Sequence, residues 1–309
     1  MVTTFLYSHP DCLEHDPGAH HPESPARLRA VLAALSSPRF VGLQQREAPQ
    51  AALDDLLRVH PHHFVERVLK AVPAAGHVAL DADTVLSAAS GRAALRAAGA
   101  VSAAVDAVIA GEATNAFCAV RPPGHHAEPE RAMGFCLFNN AAVGAARARE
   151  VHGLERVAVI DFDVHHGNGT QAAFAADAHL FYASTHQSPL YPGTGAASET
   201  GVGNIVNVPL RPFSGSAPFR RAFSERVLPA LEEFRPMLVI ISAGFDAHKS
   251  DPLAQLMLDE SDYVWVTEQL VEAAFRHAGG RVVSTLEGGY DLPALAASAA
   301  AHVGVLMAA

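Results

Sequence analysis

At 309 residues, 50% of them hydrophobic and 17% charged, the chain has enough apolar content for one large core, which excludes a disordered polypeptide. Its 22 Lys and Arg against 32 Asp and Glu give a net charge of −10. That balance offers no uniform cationic surface to a nucleic-acid backbone and suits cationic substrates better.

The N-terminal run MVTTFLYSHPDC has no basic segment leading into an apolar one, so it does not read as a signal peptide. Cys12, Cys118 and Cys136 show no CxxC spacing and leave one thiol over in any disulfide scheme, which suits a reducing, cytoplasmic compartment. Ser24-Pro25 ahead of ARLRAVLAAL predicts a helix with Ser24 as its cap and Pro25 at its first position. His60, His62 and His63 match a metal cluster by number, but they open an amphipathic helical run and read as solvated.

Further along, short apolar runs alternate with longer helical ones. NAFCAV (115–120), RVAVI (156–160), HLFYAS (179–184), NIVNVPL (204–210), MLVIIS (237–242) and RVVSTL (281–286) predict strands, and 139–150, 216–234 and 261–278 predict helices among them. Strands that are apolar throughout and separated by helices imply a parallel sheet covered on both faces. No repeat or low-complexity linker interrupts the chain, so residues 1–309 read as a single α/β domain. The stretch from Leu292 to Ala309 carries no Asp, Glu, Lys or Arg. It is mostly Ala, with Pro293, Ser298 and His302, and reads as a buried terminal helix rather than a membrane span.

In an open parallel sheet, ligands bind beyond the carboxyl ends of the strands. Polar sequence gathers there: RPPGHH after 115–120, DFDVHHGNG after 156–160, THQSPLYPGTG after 179–184, AGFDAH after 237–242 and EGGYD after 281–286. In an extended chain residues two apart point the same way, so Asp163 and His165 can face one point, with Asp246 the best-placed third ligand. Two carboxylates and an imidazole, with a position left for water, suit catalytic Zn²⁺, and Fe²⁺ or Mn²⁺ is also compatible. His125 and His126 sit on a loop stiffened by Pro122 and Pro123, and adjacent side chains diverge, so each needs a partner to serve one site. Asp161 and Asn168 are available to orient them. Tyr290, on the flexible turn after Glu287-Gly288-Gly289, can present its hydroxyl to a reacting carbonyl. The glycines of GTGAASETGVG do not join a strand directly to a helix, and no GxSxG elbow is present, so neither a nucleotide fingerprint nor a serine nucleophile is indicated.

With those residues in place, the sequence resembles the zinc-dependent histone deacetylase family, which includes acetylpolyamine amidohydrolases and acetoin-utilisation proteins. HPESPARL (21–28), RPPGHHA (121–127), MGFCLFNN (133–140), DFDVHHGNGTQ (161–171), YPGTG (191–195), SAGFDAH (242–248) and LEGGYD (286–291) carry the resemblance, in the family's order. It implies an arginase-like α/β fold around a parallel sheet of about eight strands, and a hydrolase that removes acetyl or other short acyl groups from amines. It implies Asp163, His165 and Asp246 as zinc ligands, His126 as general base and acid, His125 as its electrostatic partner and Tyr290 as carbonyl polariser. Asn168 stands where class I members have Asp, a class II-like feature.

A structural potassium ion of the family would involve Asp161, Asp163, His165 and Ser184, with Thr185 as a further candidate; a second potassium site is placed only at Phe174. Gly134, Phe135 and Tyr191 would bind the acyl chain, Tyr191 departing from the Phe common there. The loop YPGTGAASETGVGN resembles the protein-deacetylase branch more than the polyamine one, which implies acetylated lysine in proteins or peptides as substrate, with acetylated polyamines as the alternative. A non-catalytic acyl-lysine binder is disfavoured by the intact residue set. The resemblance leaves the oligomeric state open, and many Ala and Arg with only Lys70 and Lys249 suggest a bacterial origin.

Overall fold

The computed structural model describes residues 2–309. Its strands are β1 (Thr4–Ser8), β2 (Gln44–Glu47), β3 (His77–Ala79), β4 (Val85–Ser87), β5 (Asn115–Cys118), β6 (Val157–Asp161), β7 (Leu180–Gln187), β8 (Ile205–Leu210), β9 (Leu238–Ala243) and β10 (Val282–Leu286). Eight of them form one sheet in the order β2-β1-β5-β10-β9-β6-β7-β8, parallel throughout, while β3 and β4 pair as a separate antiparallel hairpin. The expected α/β architecture with a parallel eight-stranded sheet is therefore present. The central strands β5, β10, β9 and β6 are buried at every position, as apolar runs covered on both faces must be. The edges differ: all four residues of β2 (QQRE) are exposed, and β8 carries Pro209, both of which discourage further pairing.

Helices Ser90–Ala110 and Asn140–Glu150 pack together against the sheet, and Pro25–Leu35, Leu292–Ala308 and Glu260–His277 form a second packed row. The terminal helix is buried as expected, through Leu295, Ala299, Val303 and Leu306. Ser90–Ala110 is long and apolar enough to cross a membrane by length and composition, yet two thirds of that stretch is buried within the fold. Its Ala and Gly residues allow close approach to β1, β5 and the helix Asn140–Glu150.

Two local expectations are corrected. Pro25 does begin its helix, but the Ser24 side chain makes no capping hydrogen bond. Pro25 brings no N–H to the first turn, so fewer donors there need a cap. The predicted helix 216–234 is three pieces: Ser216–Ala222, a π-helical turn Phe223–Val227 and Leu228–Phe234. Pro229 cannot donate to the carbonyl four residues back, which removes one α-helical bond at that junction.

His60 is also corrected, whereas His62 and His63 are exposed as read. His60 precedes the helix His62–Ala71 and is fully buried between the Phe64 and Phe138 rings. Its Nε2 accepts the Asn139 N–H at 2.9 Å, and its Nδ1 lies 3.0 Å from the Pro129 carbonyl oxygen. His302, equally buried, links Thr267 Oγ1 at 2.7 Å to Ser284 Oγ at 2.8 Å. Burial depresses both imidazoles, His60 to about 4 and His302 to about 3. Unfolded, both titrate near 6.5, so the folded state binds fewer protons between those values. Stability is therefore full above about pH 6.5 and falls below it, by up to ~1.4 kcal/mol per pH unit for each residue. The urea midpoint is expected to drop between pH 7 and pH 5, and a His302→Asn variant should show a shallower drop.

Candidate active site

The four adjacent strands β5, β10, β9 and β6 release four loops at one rim of the sheet. They carry His125 and His126, Tyr290, Asp246, and Asp163 with His165 respectively. Beyond Asp161 the chain is no longer extended. The Asp163 N–H donates to Asp161 Oδ1 at 3.1 Å and the His165 N–H donates to Asp163 Oδ1 at 2.8 Å. Successive side-chain-closed turns, rather than strand alternation, bring Asp163 and His165 to one side.

Asp246 meets them there. Its Oδ1 accepts the Val164 N–H at 2.9 Å, and its Oδ2 lies 3.1 Å from His165 Nδ1. Asp163 Oδ1 lies 3.1 Å from the same nitrogen. All three residues are buried, with one ligand atom from each inside 4.8 Å of the others. One ring nitrogen carries at most one proton and cannot satisfy two carboxylates. Burial, and then the neighbouring Asp163, push the Asp246 carboxyl up to about 7. A divalent cation would offset both carboxylates and take the imidazole lone pair, so this donor set fits a metal. Gly288 gives the room: its N–H donates to Asp163 Oδ2 at 2.8 Å, and a Cβ at that position would overlap Asp246 Oδ2.

The His pair is held from both sides. His125 Nδ1 lies 3.0 Å from Asp161 Oδ2, which also accepts the Tyr182 hydroxyl at 3.0 Å. His126 Nδ1 lies 2.8 Å from Asn168 Oδ1, while Asn168 Nδ2 donates to Glu128 Oε1 at 2.8 Å. That amide orientation assigns the proton to His126 Nδ1 and leaves Nε2 as an acceptor. Glu287, fully buried, accepts the Gly124 N–H at 2.7 Å and the His125 N–H at 3.2 Å. Burial works against a charge on His125, but Asp163 and then Asp161 hold it well above the usual imidazole range. Burial, and then the charged His125, hold His126 well below that range. The two adjacent imidazoles are thus pushed in opposite directions.

Tyr290 was expected on a flexible turn, and the structure pins that turn instead. Asp251 Oδ2 accepts the Tyr290 N–H at 2.7 Å, and Asp251 Oδ1 accepts the Leu253 N–H at 3.0 Å. Beneath the ring, the Arg27 guanidinium carbon lies 4.8 Å from its centroid. Arg27, fully buried, donates to the Gly289 and Glu287 carbonyls, both at 2.5 Å, and to Glu23 Oε1 at 3.0 Å. Burial raises the Tyr290 hydroxyl well above its ordinary value, although Arg27 opposes this, so the phenol keeps its proton as a donor. An Asp251→Ala variant frees the turn at the Tyr290 and Asp291 N–H groups. Its kcat should fall about 10–100-fold with metal content unchanged, as for a misplaced reacting group.

A cavity of about 220 Å³ is lined by the buried His126 and His165 and by the half-exposed Tyr191, whose ring packs edge to face on His126 at 5.1 Å. Gly134, Phe135 and Tyr290 line it, the Phe135 and Tyr290 rings 5.9 Å apart edge to face. Gly134 has φ +56, and a Cβ there would lie 2.5 Å from the His126 ring, so any side chain would displace that imidazole. Asp83, Leu190 and Leu253 also line the cavity and were not singled out from the sequence.

Asp161 pairs with Ser184 across β6 and β7, so their side chains share a face. Thr185 does not join them through its hydroxyl. It points to the opposite face, where its Oγ1 is buried without a partner.

Residues 21–306 match the histone deacetylase domain family. A histone deacetylase-like amidohydrolase of Pseudomonas aeruginosa is 46% identical over 279 residues, covering 88% of this chain and 73% of that protein. The chloroplastic histone deacetylase 14 of Arabidopsis thaliana is 39% identical over 316 residues, covering 96% and 74%. The crystal structure of the HDA15 HD domain matches with a TM-score of 0.95 at 37% identity, over 99% of this chain and 88% of that one. Domain match, relatives and sheet agree that the chain belongs to the histone deacetylase family, whose members are hydrolases of the deacetylase and amidohydrolase type.

Proposed function

We propose that the protein is a zinc-dependent amidohydrolase that removes acetyl or another short acyl group from the ε-amine of lysine in proteins or peptides. The observation that carries this reading is the cavity whose lining brings His126, His165 and Tyr290 together. Asp163, His165 and Asp246 would hold the metal, Zn²⁺ with Fe²⁺ as the alternative. A cation held there supplies Lewis acidity toward the acyl carbonyl and toward water.

The protein's own groups do the rest. Neutral His126 takes a proton at Nε2 as water adds to the carbonyl carbon. The Tyr290 hydroxyl donates to the carbonyl oxygen as negative charge develops there. His125, kept cationic by its carboxylates, stabilises that charge and fixes its neighbour. The C–N bond then breaks as His126 returns the proton to the leaving nitrogen, giving a carboxylate and a free amine. Phe135 and Tyr191 flank the alkyl stem and exclude water from it. A structural potassium ion at Asp161, Asp163, His165 and Ser184 completes the reading, with Thr185 able to contribute only its backbone carbonyl.

Asp83 on the cavity wall favours a second reading, an acetylated polyamine whose distal ammonium would meet that carboxylate. Competing an acetyl-lysine peptide against an acetylated polyamine in one reaction decides between them. A higher kcat/KM for the peptide supports the first reading, and a higher value for the polyamine replaces it with the second.

A further inference from the structure

Far from the rim, three backbone carbonyls surround one side-chain nitrogen. Asn204 Nδ2 lies 2.9 Å from the carbonyl oxygen of Phe174, 3.0 Å from that of Asp177 and 2.6 Å from that of Leu180. Asn204 is only 4% exposed, so its amide lies inside the fold. The orientation of the amide is fixed from its other end, where Oδ1 accepts the Val202 N–H at 3.2 Å. An amide nitrogen has two protons, and here three carbonyl oxygens compete for them. Carbonyl oxygens converging at such distances on one positive centre are the environment that strips water from a monovalent cation.

The three carbonyls come from the last residue of the helix Asn168–Phe174, from the turn after it and from the first residue of β7. The fourth party, Asn204, immediately precedes β8. Carbonyls at a helix carboxyl end have no partner within the helix and collect negative potential. The Phe174 and Asp177 carbonyls already accept the Asp177 and Leu180 N–H groups, each at 3.0 Å, and their remaining lone pairs, with the Leu180 carbonyl, meet on the Asn204 amide nitrogen.

We propose that Asn204 acts as a tethered substitute for a monovalent cation, so that the second potassium site expected near Phe174 does not form in this protein. The residues present do not fit an ion there, because the amide nitrogen occupies the point toward which the carbonyls converge. The helix Asn168–Phe174, whose first residue orients His126, is thereby anchored to β7 and β8 without dependence on dissolved salt.

The test is the isosteric variant Asn204→Asp. It keeps Oδ1 for the Val202 N–H but puts a second carboxylate oxygen among three carbonyls, a four-oxygen cage with no donor. In choline chloride the variant is expected to melt about 10 °C below the parent, as a buried charge without a partner requires. Potassium chloride at the same ionic strength should restore most of that difference, and dialysed variant should retain one more potassium ion per chain than dialysed parent. Where Asn204→Asp cannot be purified folded, Asn204→Gly, which opens the cage without adding charge, is read by the same two measurements. Two potassium ions per parent chain would overturn the proposal. So would a variant equally destabilised in choline and in potassium.

Discussion

Changing Asp246 to alanine is expected to remove the metal and reduce turnover to the limit of detection. Asp246 contributes one of the three converging donor atoms, and its loss leaves a carboxylate and an imidazole, too few to hold a divalent cation at a catalytic site. Metal analysis of the purified variant checks this: near-zero content is expected where the parent holds one ion per chain. The fold should survive, because removing one of two crowded carboxylates relieves a buried repulsion that pushes Asp246 up to about 7. A Gly288→Ala variant should lose metal as well through overlap with Asp246 Oδ2, although both carboxylates remain. Full metal content and turnover in Asp246→Ala would mean that the three residues are a structural hydrogen-bonded cluster.

Tyr290→Phe is the second large effect, and its signature is the opposite. The phenylalanine ring can keep its place above Arg27 and beside Phe135, and the backbone N–H of residue 290 still donates to Asp251. Only the hydroxyl is lost. Removing one donor from a developing oxyanion costs about 10²–10³ in kcat, so turnover should fall by that factor while metal content and melting temperature stay at parental values. Steady-state kinetics on an acetylated amide, with metal analysis of the same preparation, read both. Unchanged kcat would take Tyr290 out of the chemistry.

Much of this site was legible because its residues fall in short motifs at the ends of apolar strands. Asp163, His165, Asp246, His125, His126 and Tyr290 all fall in those motifs, and the structure brings them together at one rim. Strand alternation does not account for Asp163 and His165: side-chain turns place them, since the strand stops at Asp161. Arg27 was overlooked although its signal was present. With Val31 and Leu35 it falls at i, i+4 and i+8 on the buried stripe of Pro25–Leu35, and a cation in an apolar stripe needs a partner.

Asp83 and Leu253 gave no such signal. They lie in loops held by side chains no periodic pattern marks, Asp83 by Asp81 Oδ1 on its N–H and His21 on its carbonyl, and Leu253 by Asp251. The edge strand β2 was illegible for a different reason: QQRE is polar and exposed at every position, so no hydrophobic alternation marks it. His60 misleads because His62 and His63 beside it are solvated, whereas the Phe64 and Phe138 rings, the Pro129 carbonyl and the Asn139 N–H enclose it.

Amine release from an acetyl-lysine peptide, followed with metal-stripped protein, with the same protein reloaded with one equivalent of Zn²⁺, and with reloaded Tyr290→Phe, tests the proposed chemistry most directly. No release is expected without metal, restored release on reloading, and a rate about 10²–10³ lower in the variant. Release by the stripped protein at the reloaded rate, or no release from any preparation, would contradict it.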